Sequence, residues 1–224
     1  MSENVKAQLT GELKDEEKIW GEAVDLRGIN EKTKKIIEDC VRNPKNFLGE
    51  GGAGKVFIFE THCIKMIRVI EKYHGISPAA EFNIQWKVRN LNVGGVYAPK
   101  VISFAQGDKC AAIIMERLSA VNLLLVLQGK EALPINFDLD LFFDRLDRYL
   151  DSLHELDIIH NDLYARNIMI DIRTGLPRVI DFGNAIDFSE YRPADFEIKA
   201  DTDYRLLNEA REQTRQHLDK LRNT

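Results

Sequence analysis

Apolar and polar positions recur in two rhythms along this chain. Val56–Glu60 and Cys63–Val69 are short β-branched and apolar runs separated by Thr61-His62, which predicts a hairpin. Val101–Phe104 and Ala111–Glu116 predict two more strands around a turn at Gly107-Asp108. Between these pairs Ser77-Pro78 opens a helix. Ser77 suits the N-cap and Pro78 the first helical position, and Phe82, Ile84, Trp86, Val88 and Leu91 follow without one clean face. From residue 121 the rhythm becomes helical. Val121–Leu127 is the most apolar short run and reads as a packed helix, being too short to span a bilayer. Phe137–Leu156 carries Leu139, Phe142, Phe143, Leu146, Tyr149, Leu150, Leu153 and Leu156 at three- and four-residue steps, a long amphipathic helix. Ile168–Asp171 and Arg178–Ile180 predict strands about Thr174-Gly175. At the ends, residues 1–10 read as a loose tail, residues 12–42 as a helix broken near Gly28 and stopped by Asn43-Pro44, and Asp195–Arg222 as a charged helix. A β-rich first half followed by a helical second half predicts an α+β chain of two lobes. The expected division is a helical extension over 1–45, a β-rich lobe over 46–118 and a helical lobe over 119–224.

Charge and cysteine content narrow the function classes. The formal net charge of −5 argues against a nucleic-acid surface. Cys40, Cys63 and Cys110 are odd in number and scattered, two of them in strand-like runs. Buried free thiols in a reducing compartment are therefore expected, placing the chain in cytoplasm, its own or a host's if it is a secreted effector. Met1 to Glu17 is polar with no apolar core of a signal peptide, and no run of 18 apolar residues exists, so no membrane span is expected.

Several stretches carry residue types suited to chemistry. Gly49, Gly51 and Gly54 fit G-x-G-x-x-G, with Val56 two residues on; glycines there let backbone amides approach phosphates. Lys55-Val56-Phe57-Ile58-Phe59 continues as a strand, which disfavours a dinucleotide fold, and the Lys-Ser/Thr of a Walker motif is missing. An ordinary glycine-rich hairpin is the competing reading. Lys65 alternates with apolar residues; it points either to solvent or, as a fixed cation, to phosphates. Glu81 on the next helix is the best placed counter-charge. The densest signal is Ile158-Ile159-His160-Asn161-Asp162-Leu163-Tyr164-Ala165-Arg166-Asn167, followed by Asp181-Phe182-Gly183. Asp162 suits a catalytic base, and Asn167 with Asp181 supplies an amide oxygen and a carboxylate for magnesium beside a triphosphate. A turn merely rich in Asp and Asn is the bland alternative. His160 reads as structural. His62, His74 and His217 are isolated, so no metal-ligand cluster of His and Cys is expected.

Together these residues resemble the eukaryotic-type protein kinase superfamily over residues 47–183, in the order glycine loop, Lys65, Glu81, catalytic loop, metal triplet. The resemblance implies a two-lobed kinase fold with a β-rich N-lobe and a truncated helical C-lobe, using ATP and magnesium. Ala112–Leu118 looks like the hinge, which implies Met115 as gatekeeper and backbone groups of Glu116 and Leu118 against adenine. Three departures inform. Asn161 stands where the family usually has the Arg that meets a phosphorylated activation loop, which implies no such switch. Ala165-Arg166 resembles tyrosine kinases locally, with Arg166 near the γ-phosphate. No Ala-Pro-Glu follows Gly183, so the usual peptide platform is expected to be missing or replaced, and either Asp201 or Asp203 braces the catalytic loop. Such a minimal member is similar to the KEOPS-complex kinase, RIO kinases and secreted bacterial effector kinases. The implied activity is phosphorylation of protein Ser/Thr hydroxyls, with autophosphorylation and a protein substrate. A small-molecule phosphotransferase of the aminoglycoside or choline kinase kind is the second reading. The third is a binding module, with the charged helices at 12–42 and 195–222 engaging a regulatory or docking partner.

Overall fold

The apolar alternation of the first half folds into one five-stranded sheet. In the computed structural model, residues 26, 29–51, 54–69, 76–189, 194 and 196–223 are described. The chain divides into two compact units, one of Met1–Ala79 with Ile102–Arg117, the other of Ala80–Val101 with Leu118–Thr224. The expected helix over 12–25 and its break at Gly28 lie outside the described residues.

In the first unit, β1 (Phe47–Gly51), β2 (Gly54–Phe59), β3 (His62–Arg68), β4 (Val101–Gln106) and β5 (Cys110–Glu116) form a sheet of order β1-β2-β3-β5-β4. The hairpin turn is Glu60-Thr61 and not Thr61-His62, because Phe59 pairs with His62 across the ladder. Glu60 accordingly takes φ +51°, the left-handed backbone that tight two-residue hairpins require. Helix α1 (Glu31–Arg42) starts at Asn30, whose side chain accepts the Thr33 amide at 2.9 Å, and ends at Asn43 as its Asn-Pro predicts. Its Ile37, Cys40 and Val41 join Phe57, Ile64, Met66, Ala105 and Ala112 in one buried cluster. Helix α1 therefore covers one face of the sheet. The three cysteines are free and buried; burial pushes the Cys40 and Cys63 thiols up.

Helix α2 (Pro78–Val88) begins at the predicted proline and stops at Val88 rather than Leu91. The second unit's long helices are α4 (Leu139–Glu155) and α5 (Phe196–Arg222). Asp138 caps α4 by accepting the Leu141 amide at 2.9 Å. Phe142, Phe143, Leu146, Tyr149, Leu150 and Leu153 are buried on α4, as its spacing predicts, while Leu156 is exposed. On α5 the buried positions are Phe196, Ala200, Asp203, Leu206, Leu207, Ala210 and Thr214. The α4–α5 seam is tied by Arg211 to Asp147 and Tyr204 to Asp151, each at 2.5 Å.

The apolar run Val121–Leu127 is not one helix. Ala120–Asn122 is β6, pairing Val121 with Ile170, and Asn122 then caps the short α3 (Leu123–Leu127). A strand edge needed a partner there, and the tertiary ladder overrides the helical rhythm. Strands β8 (Ile168–Asp171) and β9 (Pro177–Val179) complete the sheet β6-β8-β9. Their turn includes Gly175 at φ +71°, where a Cβ would stand 2.2 Å from the Asn136 carbonyl oxygen. Two-residue strands β7 (Ile158–Ile159) and β10 (Ile186–Asp187) pair antiparallel and are too short for any periodicity to reveal. Among the described residues no helix is long and apolar enough to cross a membrane.

Candidate active site

Strand β7 leads directly into the loop that holds Asp162. Ile158 and Ile159 are fully buried, so the start of the loop is anchored in apolar packing. His160 follows, also fully buried. Its Nε2 lies 3.1 Å from the Ile180 carbonyl, to which it donates, and its ring packs on Phe182 at 4.9 Å. The other ring nitrogen, Nδ1, meets no hydrogen-bond partner among the described residues. A nitrogen bonded to a carbonyl must carry the proton, which leaves Nδ1 as a buried lone pair. His160 thus links the loop to the Asp-Phe-Gly triplet and the residue before it, the structural role read from the sequence.

Between Asp201 and Asp203 the structure makes a clear choice. Asp203 is fully buried and accepts the backbone amides of His160 at 2.8 Å and Asn161 at 2.7 Å. His154 Nε2 stands 3.1 Å from the same carboxylate. Asp201 is exposed on α5. Asn161 takes φ +60° and Asp181 φ +64°, left-handed conformations that cost non-glycine residues about 1 kcal/mol or more each. The turn at Asn161 is over-determined by its neighbours. For Asn161 the amide bond to Asp203 and its own side-chain bond to the Asn184 carbonyl, 3.1 Å, fix the turn.

Asp162 comes out of this turn with three side chains on its carboxylate. Arg166 donates to Oδ1 at 2.5 Å, and Asn167 and Asn184 donate to Oδ2 at 2.9 and 3.2 Å. Its side chain is 12% exposed, buried enough to hold its orientation yet open on one side. Arg166 is half exposed and its guanidinium lies 4.5 Å from the centre of the Tyr164 ring. The 3-10 turn Ala165–Asn167 spaces Arg166 and Asn167 to reach back to Asp162.

The β8–β9 hairpin brings Asn167 beside the Asp-Phe-Gly triplet. Ile168 pairs with Val179, and the Ile180 amide donates to the Asn167 carbonyl at 3.0 Å, so Asp181 emerges next to Asn167. Asn167 spends its amide nitrogen on Asp162, both on the backbone oxygen at 2.8 Å and on the carboxylate, which presents its amide oxygen outward from that pair. An amide oxygen and a half-buried carboxylate are the hard donors that magnesium takes. The donor set fits the cation expected from the sequence.

The first unit gathers the other candidates by register. Val56 pairs with Lys65, Lys65 with Ile113, and Cys63 with Met115. Directly paired residues share a sheet face, and so do residues two apart on one strand. Val56, Lys65 and Met115 therefore lie on one face, and Gly49 and Gly51 fall in register with Val56 and Gly54. The apolar cluster under α1 uses the opposite set, Phe57, Ile64, Met66 and Ala112. Lys65 is 6% exposed, which removes the solvent-facing reading. The glycines divide in purpose. A Cβ on Gly54 would stand 2.1 Å from the Met66 carbonyl oxygen, whereas one on Gly49 would meet nothing within 4 Å. Gly54 is demanded by the neighbouring strand; nothing in the fold demands Gly49. Lys55 is buried and pairs with Glu50 at 3.7 Å across β1–β2. Glu116 ends β5 opposite His62, and Leu118 is half-buried in the second unit. Glu81, on α2 in the second unit, is 2% exposed.

Sequence reasoning did not find Asn184 or His154. Asn184 follows the triplet with no pattern to mark it. His154 sits on the buried face of α4, and its meeting with Asp203 depends on helix packing that no local spacing encodes.

Known proteins place these features in company. The family described as protein kinase domain matches residues 42–204. The serine/threonine-protein kinase hal4 of Schizosaccharomyces pombe is 30% identical over 105 residues, 47% of this chain and 16% of that protein. A probable serine/threonine-protein kinase of Dictyostelium discoideum is 28% identical over 150 residues, 63% of this chain and 31% of that protein. The chain spans less than a third of the length of either relative. The crystal structure of WbdD superposes with a TM-score of 0.53 at 20% identity, over 73% of this chain and 36% of that one, a likeness of fold.

Proposed function

We propose, since the chain belongs to the protein kinase family, that it transfers the γ-phosphate of ATP to Ser/Thr hydroxyls of a protein substrate and of itself, with magnesium. The observation that carries this reading is the Asp162 carboxylate, fixed by Arg166, Asn167 and Asn184 at the end of a braced loop. In that role Asp162 orients the acceptor hydroxyl and takes its proton. Asn167 and Asp181 hold magnesium, which when bound neutralises charge on the phosphate oxygens. Arg166 is the cation available to the transferred phosphoryl group. On the first unit's candidate face, Lys65 fixes the α- and β-phosphates, and backbone amides around Gly49, Gly51 and Gly54 cradle them. Glu81, buried on α2, is the acid that the family's order of elements assigns to Lys65. Val56 and Met115 flank adenine, with backbone groups of Glu116 and Leu118 on its edge. Residues 46–118 then form the nucleotide-binding lobe and 119–224 the catalytic lobe, with 1–45 as an extension open to a regulatory partner. The Ser/Thr choice is supported by the names of the two relatives. Independence from activation-loop phosphorylation is supported by Asn161 bonding Asn184 where the family's Arg would await a phosphate. A cytoplasmic setting is supported by three free, buried cysteines.

The test is incubation with labelled ATP and magnesium, followed by phosphoamino-acid analysis. Asp162→Asn should lower incorporation about 10²- to 10⁴-fold, the range general-base catalysis supplies. Asp181→Ala should abolish magnesium-dependent transfer. Equal labelling of wild type and Asp181→Ala sinks the reading, and phosphotyrosine as the product sinks its Ser/Thr part.

A further inference from the structure

Asn184, immediately after the Asp-Phe-Gly triplet, is bonded at both of its ends to the catalytic loop. Its carbonyl accepts the Asn161 side-chain amide at 3.1 Å, and its own amide donates to Asp162 Oδ2 at 3.2 Å. Asn161 is itself pinned by the Asp203 carboxylate at 2.7 Å. The result is a closed chain, Asp203 to Asn161 to Asn184 to Asp162, made of one carboxylate, two neutral amides and the reacting group. No phosphate is needed anywhere in it. Among the described residues the Asn184 side chain makes this one hydrogen bond, and the residue is solvent-exposed. Its amide therefore does little for folding and acts on one oxygen of one carboxylate. The Oδ1 oxygen is held by Arg166, a long side chain that is half exposed; Oδ2 is held by two short, neutral amides, those of the buried Asn167 and of Asn184, which have fewer rotatable bonds to fix.

We infer that Asn184 is a positioning residue for Asp162, latched by Asn161, and that this asparagine pair does by permanent hydrogen bonds what a phosphorylated loop meeting an arginine would otherwise do. The inference rests on Asp162 acting as the base of phosphotransfer. When Arg166 turns from Oδ1 toward phosphate, the two amides on Oδ2 keep the carboxylate aimed, so Oδ1 becomes the atom that receives the hydroxyl proton. The regulation implied is the absence of a switch: Asn184 is docked on the catalytic loop by amide hydrogen bonds alone.

Three single variants and one double variant test this on the full chain. Asn184→Ala should lower kcat about 10-fold, which corresponds to ~1.4 kcal/mol, with KM for ATP and the urea unfolding midpoint unchanged. Asn184→Asp, nearly the same shape, should be worse than Asn184→Ala, because a carboxylate cannot donate to Asp162 and repels it. A merely structural residue would give the reverse order. Asn161→Gly suits the φ of +60° at that position while deleting the latch. It should lower kcat about 3- to 5-fold alone and add nothing in the Asn184→Ala background, the non-additivity of residues acting in series. Phosphatase-treated wild type should keep its kcat. A readout independent of catalysis is the Asn184 side-chain amide resonance, which should shift in Asp162→Ala. If that resonance moves but wild type transfers phosphate to no acceptor, the kinase reading fails and the latch stands. If Asn184→Ala keeps kcat within about two-fold, if Asn184→Asp is no worse, if phosphatase treatment removes activity, or if the resonance does not move, the latch is overturned.

Discussion

Replacing Asp203 with Asn removes a charge and one acceptor from the centre of the catalytic-loop brace. Wild-type Asp203 is fully buried and satisfies three donors, the amides of His160 and Asn161 and the Nε2 of His154. In Asp203→Asn the remaining oxygen serves Asn161, while the new amide group faces the His160 amide, donor against donor. His154 adapts by moving its proton to Nδ1 and accepting at Nε2, so one buried N–H is left orphaned. An orphaned buried donor costs about 1–3 kcal/mol, and losing the charge assistance on the Asn161 bond adds ~1 kcal/mol. The expected loss is therefore ~2–4 kcal/mol out of a typical total of about 5–15 kcal/mol. Asp203→Ala, which orphans all three donors, should cost more and is the less useful probe because the chain then nears unfolding. Urea denaturation followed by circular dichroism reads the loss as a lowered midpoint at constant slope. Asp201→Asn is the control, since Asp201 is exposed on the same helix and should stay within about 0.5 kcal/mol of wild type. Hydrogen exchange should show the His160 and Asn161 amides deprotected in Asp203→Asn at denaturant levels where the helices remain folded. If Asp203→Asn and Asp201→Asn are equally stable, the brace carries no weight and the account of the left-handed Asn161 collapses with it.

Two other sites give separable outcomes. Arg178 is 5% exposed, donates to Asp171 at 2.8 Å and to the Gly95 and Pro177 carbonyls, and lies over the Tyr97 ring, so Arg178→Ala should cost about 3–5 kcal/mol in urea denaturation by stranding a buried carboxylate. Burial alone would raise the Asp171 carboxyl, but the Thr174 amide and hydroxyl, the Arg178 guanidinium and the Arg173 amide outweigh it and hold it below the usual carboxylate range. A folded value below the unfolded one means the stabilisation is complete above pH ~4 and is lost as pH falls through the folded value, so Asp171→Asn should flatten the acid limb of the stability–pH curve. An unchanged limb counts against that linkage. On the glycine loop, Gly54→Ala should destabilise the first unit, because its Cβ would overlap the Met66 carbonyl, while Gly49→Ala should leave the unfolding midpoint alone. A loss of nucleotide affinity in Gly49→Ala then reports phosphate contact without a folding effect; equal destabilisation of the two variants would refute the division.

What could be read from the sequence follows how local its physical cause is. The helix start at Pro78 was legible because a proline at the first helical position acts within one turn, whereas Asn30, which caps the helix starting at Glu31, lay inside the stretch 12–42 read as helical. The buried stripe of α4 was legible because amphipathic spacing repeats along its length. Lys65 was ambiguous until the fold supplied neighbours: alternation alone sets it on the face opposite Ile64 and Met66, and that this face is covered too is a tertiary fact that no local window contains. The run Val121–Leu127 misled because its first residues are claimed by Ile170 and Met169 of β8, a ladder partner that no window contains. Asp201 and Asp203 are two residues apart on α5, close to opposite sides of the helix, so the choice between them is a choice of helix rotation. That rotation is set by Phe196, Ala200, Leu206 and Leu207 packing inward, and those residues put Asp203 inside with them.

The same reasoning explains why the chain tolerates a charge there at all. A buried carboxylate alone is expensive, and it survives where amides converge on it. Here the converging amides belong to the two residues that precede Asp162, and their convergence is what bends Asn161 into a left-handed turn. The hydrogen bonds from the His160 and Asn161 amides therefore offset both the burial of Asp203 and the strain at Asn161. Removing Asp203 should release the strain at Asn161: a glycine at 161 has no such strain to give back, and should leave the Asp203→Asn penalty larger than in wild type. A double-mutant cycle of Asn161→Gly with Asp203→Asn measures that coupling, expected at about 0.5–1 kcal/mol, with the double variant less stable than the two singles sum to. Strict additivity would mean that the turn is set by Asn184 rather than from the helix beneath.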